Sequence, residues 1–222
     1  CSDEYSHTGR ASLKLASNSQ YDGAYAIVPE IDVDSISRLR VRFWASTGEC
    51  KTSQYARKLI VAVLTDPSNL AYEPIATLDV VDGEGLEYEV RFDEYEGDFK
   101  GKMGRYVMFL SYGDKKSNNV YIDDIKFDTI PQCVSPKVKE VVDEPNRIVL
   151  QLYNGTGPYQ VKYIVGDYSA TKLEEASVLD VTNDSFEING LSQNTECYVV
   201  VRSSCGGGYS DWSPVMRFVT AS

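Results

Sequence analysis

Hydrophobic and polar residues alternate along most of this chain. In RLRVRFW (38–44), Leu39, Val41 and Phe43 share one side and the arginines take the other. LEYEVRF (86–92) sets Leu86, Tyr88, Val90 and Phe92 against Glu87, Glu89 and Arg91. RIVLQLY (147–153) aligns Ile148, Leu150 and Leu152, and PYQVKYIV (158–165) aligns Tyr159, Val161, Tyr163 and Val165. A period of two marks half-buried strands, and helical periodicity is nearly absent. Short strands parted by Gly, Pro, Asn and Asp turns predict an all-β chain of antiparallel sandwiches. The segment DTIPQCVSP (128–136) has two prolines and a polar break between two alternating series. It predicts two domains, 1–130 and 131–222.

Length and composition agree. A chain of 222 residues suits two ordinary domains, and 42% hydrophobic content suffices for packed cores. The net charge of −11 excludes nucleic acid as a partner, because phosphate binding needs a basic footprint. It equally excludes attachment to anionic lipid by charge alone. Residues 1–130 hold 15 basic against 22 acidic residues, net −7; the remainder holds 7 against 11, net −4. Neither half is a concealed basic arm. No stretch approaches the roughly 18 consecutive apolar residues of a membrane-spanning helix, so no transmembrane segment is expected. The chain opens on Cys1-Ser2-Asp3-Glu4. Either the numbering starts at a processing or fragment boundary, or Cys1 is the acylated end of a bacterial lipoprotein. The second reading makes Cys1 a lipid anchor.

The closing string LSQNTECYVVVRSSCGGGYSDWSPVMRFVT (191–220) reads as a turn, an alternating strand, a glycine hairpin and a second strand. With CVSPKV (133–138) and FEINGLSQNT (186–195), it resembles a fibronectin type III module, which binds, spaces or displays. Two positions depart from that pattern. Leu152 stands where a core tryptophan is usual. Cys197 stands at the tyrosine-corner position, in phase with Val199 and Val201, and is expected as a buried free thiol. Upstream, TGRASLKL (8–15), YAIVPEIDVDSISRLRVRFWAS (25–46), VAVLTDPSNLAYEPIATLDV (61–80), LEYEVRFDEYEG (86–97), GRYVMFLSY (104–112) and VYIDDIKF (120–127) follow one another. In that order they resemble the jelly-roll modules of the cleaved-adhesin and MAM-like group, found in surface proteins and gingipain-type secreted proteases. Such modules usually begin with a further strand carrying a Phe-Glu pair, which nothing before residue 8 supplies.

The five cysteines, at 1, 50, 133, 197 and 205, show no CxxC and no metal-ligand spacing. Cys133 opens the first strand of the second module and Cys205 closes its penultimate strand. A Cys133–Cys205 disulfide is expected, and with it an oxidising, extracytoplasmic site.

Catalytic chemistry finds little support. His7 is the single histidine, in a polar terminal segment unsuited to a nucleophilic triad, and is expected as an exposed surface residue. Asp93-Glu94 and Asp123-Asp124 are the paired-carboxylate candidates, but adjacent strand residues are expected to face apart, which rules out a glycosidase pair. GDFKGKMGR (97–105) lacks the GK[ST] ending of a phosphate loop and reads as a turn. The resemblance implies that Asp123 and Asp124, two acids in an apolar strand, could contribute to a structural calcium. Sixteen tyrosines raise the question of sugar stacking. Tyr88, Tyr159 and Tyr163 fall on core phase. Tyr55, Tyr72, Tyr95 and Tyr112 fall in or beside predicted loops, and Tyr55, Tyr72 and Tyr112 are nominated as ligand contacts. Trp212 is expected to pack between the last two strands.

Together these readings predict a jelly-roll sandwich followed by a fibronectin type III sandwich. The expected function is non-catalytic and extracytoplasmic: adhesion or ligand binding at a bacterial surface or in secretion, with loops presented to a glycan or to a host or matrix protein. The alternative is an accessory, substrate-targeting region of a larger secreted hydrolase.

Overall fold

The computed structural model describes residues 5–17, 23–33, 36–48, 57–64, 66–93, 106–112 and 118–222. The chain divides into two compact units, Cys1–Ile130 and Pro131–Ser222.

The first unit carries β1 (Leu13–Ser17), β2 (Gly23–Ile27), β3 (Leu39–Ser46), β4 (Arg57–Leu64), β5 (Tyr72–Val80), β6 (Leu86–Arg91), β7 (Tyr106–Tyr112) and β8 (Asn118–Thr129). One sheet runs β1-β8-β3-β6 and the other β2-β7-β4-β5, with every pairing antiparallel. The pairs β1·β8, β2·β7, β3·β6 and β4·β5 are the rungs of one long antiparallel ribbon. Rolling that ribbon up deals its rungs alternately to two facing sheets. This is a jelly roll. Between the sheets, Val41, Phe43 and Val90 meet Val61, Val63, Val107 and Phe109. Phe43 meets Phe109 edge-to-face at 5.0 Å, the geometry favoured by ring quadrupoles. The inward set is the one the alternation in 38–44 and 86–92 predicts.

The second unit carries β9 (Lys137–Glu144), β10 (Arg147–Tyr153), β11 (Tyr159–Val165), α1 (Ala170–Glu175), β12 (Leu179–Val181), β13 (Ser185–Asn189), β14 (Glu196–Cys205), β15 (Gly208–Tyr209) and β16 (Met216–Val219). A three-stranded sheet, β13-β10-β9, faces one ordered β12-β11-β14, where β14 also pairs β15 and β16. That division of strands makes a fibronectin type III-like sandwich. Ile148, Leu150 and Leu152 meet Val161, Val199, Val201 and Cys197 in its core. Each such side chain contributes about 1.5–3 kcal/mol by leaving water. Leu152 fills the expected tryptophan position and is buried. The helix α1 is an addition to the predicted elements. The Ser169 hydroxyl caps it by accepting from Lys172 N, and Leu173 anchors it. One apolar anchor in a six-residue helix leaves no periodicity to read. No helix among the described residues is long and apolar enough to cross a membrane.

Cys133 and Cys205 form the expected disulfide, which ties the start of the second unit to its glycine hairpin. Cys197 is buried and free, also as expected. Burial pushes its thiol up to about 11, with a smaller contribution from Glu140.

Candidate functional site

Asp123 and Asp124 sit at a break in strand register. In the pairing of β3 with β8, Arg42 stands opposite Lys126 and Trp44 opposite Asp123, so Phe43 faces two residues on the other strand. The break is forced. Ile122 and Phe127 both pack towards the core, yet they lie an odd number of residues apart, which strict alternation forbids. A bulge absorbs the extra residue, and Asp124 takes the left-handed conformation, φ 50°, which Asp tolerates better than most residues. Outward and inward phases are thereby lost. The expectation that the two carboxylates diverge is corrected, since both reach the same short segment. Asp123 Oδ2 accepts from His7 N at 3.0 Å and Thr8 N at 3.1 Å. Asp124 Oδ1 accepts from the Thr8 hydroxyl at 2.5 Å, and its Oδ2 lies 2.7 Å from His7 Nδ1. Asp123 Oδ1 accepts from Asp124 N at 2.9 Å.

All four carboxylate oxygens are therefore occupied by donors from the chain itself. A calcium ion requires six to eight oxygen ligands. Among the described residues no group of three His, Cys, Asp or Glu could hold a metal ion. Among the described residues the donor set stops at these two carboxylates, short of what calcium requires. What the pair holds is the segment preceding β1. Hydrogen bonding from Thr8, then from His7, keeps the Asp124 carboxyl below its ordinary value. The His7 ring stacks on Trp44 at 5.6 Å, and Tyr5 packs on Tyr121 at 4.8 Å. His7 is exposed as expected, 53% by side chain, but it is a clasp rather than a bystander. Gly48 makes room for this clasp: a Cβ there would lie 2.7 Å from the Tyr5 ring.

The same outward side of the first sheet carries a cluster of charge. Arg40 and Arg42 reach Glu89 Oε2 at 3.0 and 2.9 Å, and Arg91 reaches Oε1 at 2.8 Å. Arg40 also holds Asp128 at 2.6 Å. Burial pushes the Glu89 carboxyl up, but the Arg42 and Arg91 hydrogen bonds and the surrounding positive charge outweigh it and hold the group below its ordinary value. Sequence alternation had placed these residues outward, in solvated positions. Outward is right, but Arg40 and Arg91 are buried.

On the outward side of the other sheet the register sets four rows. Tyr25, Leu110, Ile60 and Thr77 form one; Ile27, Met108, Ala62 and Pro74 the next; Tyr106, Leu64 and Tyr72 close one end. Gly23, Tyr112, Lys58 and Asp79 form the row at the other end. Ala62, Leu64 and Met108 are buried there, with Ile27, Ile60, Tyr106 and Leu110 packed against them. Around this apolar centre, Tyr25 is 50% exposed, Tyr72 43% and the nearby Leu70 41%. Tyr72 opens β5 and Tyr112 closes β7, so both stand beside the predicted loops as expected, and Tyr72 borders this apolar face. Tyr55, Tyr95, Glu94, Cys1, Cys50 and the 97–105 turn lie outside the described residues. Sequence reasoning missed Tyr25, although its place two residues before Ile27 in an apolar run (AYAIV) carried the phase. Tyr88, Tyr159 and Tyr163 pack against the cores as predicted.

Comparison with known proteins adds little. No protein-family model matches the chain. No curated protein matches it. Among solved structures, the FN5 domain of Drosophila Lar is similar at 19% identity and a TM-score of 0.31, over 40% of this chain and 95% of that one. The chicken CNTN1 FN1–FN3 domains align at 16% identity and a TM-score of 0.34, over 75% of this chain and 57% of theirs. A β-1,2-glucanase from Parabacteroides distasonis aligns at 12% identity and a TM-score of 0.39, and the chain spans 34% of its length. The strand orders themselves define the two sandwiches.

Proposed function

We propose that this chain is a non-catalytic, extracytoplasmic adhesion or ligand-binding protein, with a jelly roll of the cleaved-adhesin and MAM-like kind that engages a glycan or a protein through an aromatic rim. The observation that carries this reading is the outward face of the β2-β7-β4-β5 sheet. Tyr25 and Tyr72 stand half exposed around an apolar centre that the strands hold rigid. Rigid aromatic side chains bind at low entropic cost and dominate contact energies. The disulfide supports placement in an oxidising compartment. A lipid anchor at Cys1 is compatible with the same placement.

The test is a glycan and matrix-protein array probed with the whole chain, followed by titration of any hit. Tyr25→Ala and Tyr72→Ala should each weaken binding by about five- to thirtyfold, or 1–2 kcal/mol, and leave the melting temperature nearly unchanged. Undiminished binding in both variants overturns the assignment to this face.

A further inference from the structure

Trp212 of YSDWSP (209–214) is expected to pack between the last two strands. Its ring and that of Tyr209 meet cations instead. The Arg202 guanidinium, on the outward side of β14, lies 4.3 Å from the centre of the Tyr209 ring and 4.4 Å from that of Trp212. The Lys162 ammonium lies 5.5 Å from the Trp212 ring and donates to Glu174 O at 2.5 Å. Ser210 and Ser213 fix the segment that carries both rings. Their hydroxyls accept from Ser203 N and Val201 N, each at 3.0 Å. Contact with two rings holds the guanidinium against tilting.

Rotation within its own plane is also blocked. Gln160 Oε1 accepts from Arg202 Nε at 2.9 Å and from Nη2 at 2.6 Å. The orientation of that amide is set in turn, because Gln160 Nε2 donates to Asp180 Oδ1 at 2.8 Å. Nε–H and one Nη2–H lie along one edge of the fork, and Gln160 occupies it. The opposite end keeps a parallel pair of N–H donors, one from each Nη, and a second hydrogen on Nη1. No carboxylate among the described residues pairs with this cation; its partners are the two rings and one amide oxygen. By contrast, Arg217 pairs with Glu196 and Arg147 with Glu144.

A fixed fork with two parallel donors and no counter-ion matches a carboxylate in the bidentate manner. We propose that the Nη edge of Arg202 is a binding site for the carboxylate of a uronic-acid saccharide, whose sugar ring lies along Tyr209. Tyr209 is 51% exposed and offers the flat apolar surface on which a pyranose ring stacks, which an acidic peptide side chain does not need. A chain of net charge −11 repels polyanions at long range, so capture here has to come from this local geometry. The site belongs to the second unit and stands or falls independently of the aromatic rim on the first.

The experiment follows the Arg202 Nε–Hε resonance of the whole chain by NMR during titration with trigalacturonate, neutral galactotriose and hexaglutamate. Trigalacturonate alone should shift it. Arg202→Lys keeps the charge but loses the fork and should weaken binding at least tenfold. Gln160→Glu, made together with Asp180→Asn so that the new carboxylate does not face the Asp180 carboxylate, places a carboxylate beside the guanidinium and should weaken binding by a similar factor. A response to hexaglutamate equal to that of trigalacturonate overturns the saccharide assignment. No response to any acid, or full binding by that double variant, overturns the site.

Discussion

Both units set arginines on the outward side of a sheet, and they stabilise them by different means. In the jelly roll, Arg40, Arg42 and Arg91 converge on Glu89, and Arg40 and Arg91 leave water with it. In the second unit, Arg202 lies against two rings, faces an amide and is half-buried. Removing several charges from water together is costly, and their mutual attraction offsets that cost only while every member is present. A guanidinium against aromatic faces keeps part of its hydration and gains a smaller attraction from each ring. The first arrangement should be brittle and the second tolerant, and the contrast can be measured.

The largest effect is expected at Glu89. Glu89→Gln leaves three guanidiniums around a neutral amide and should cost about 3–5 kcal/mol, confined to the first unit's calorimetric transition. The sign of the pH effect follows from the lowered carboxyl pKa. Stability from Glu89 is fully present above the unfolded glutamate pKa of about 4.3 and is lost as pH falls through the lower folded value. An acid limb as steep in Glu89→Gln as in the parent chain would show that other carboxylates dominate.

Next comes the disulfide, which has no counterpart among the first unit's described residues. Cys133 and Cys205 are separated by 72 positions, and closing a loop of that length is worth about 4 kcal/mol in the chain-entropy model. Replacing both by Ala should lower the second unit's transition and leave the first unit's in place. If both transitions move together, the units are coupled and the comparison has to be redrawn.

A smaller effect should appear on the alkaline side, again in the second unit only. The buried Cys197 thiol is pushed up from 9.0 to about 11. Its contribution is fully present below pH 9 and fades as pH rises towards the folded value, by about 2–3 kcal/mol. Tyr198, pushed up to about 12 by burial and then by Glu196, titrates above it. Denaturant midpoints between pH 8 and 11 should fall in the parent chain and stay flatter in Cys197→Ala.

How much of this was legible depends on whether one strand phase suffices. Where alternation is unbroken, as in 38–44, 86–92 and 147–153, the inward residues are read correctly from the sequence, because side-chain direction is fixed by parity alone. The disulfide was legible from the places of Cys133 and Cys205 in the resembled module, although Cys133 lies before β9 rather than at its start. Parity fails at YIDDIKF (121–127). The phase set by Val120 and Ile122 and the phase set by Phe127 conflict, and only a bulge reconciles them. That conflict was visible in the residues, and it is what brings both carboxylates onto His7 and Thr8. In LIVAVL (59–64) both faces are apolar, so no phase shows that Ala62 and Leu64 pack outward. The exchange of partners around Arg202 was less legible still. It joins residues 160, 202, 209 and 212 from three separate segments, and no spacing rule connects them.

The smallest expected effect tests the tolerant half of the comparison directly. A double-mutant cycle of Arg202→Met and Trp212→Leu isolates the cation–ring coupling from the apolar contact that Met and Leu preserve. The coupling should be about 1 kcal/mol, since one face of the guanidinium meets the indole and the site is partly solvated. The matching cycle of Arg91→Met and Glu89→Gln should give a larger coupling, because that pair is withdrawn from water and a missing partner leaves a buried charge unmatched. Raising the salt concentration to about 1 M, where the Debye length shrinks to about 3 Å, should change neither coupling much: the buried pair is shielded from ions, and the ring contact acts at close range. Couplings of equal size would mean that burial of Arg40, Arg91 and Glu89 does not separate the two arrangements. A coupling near zero at Arg202 would reduce the stack to hydrophobic packing, leaving Gln160 as the group that orients the fork.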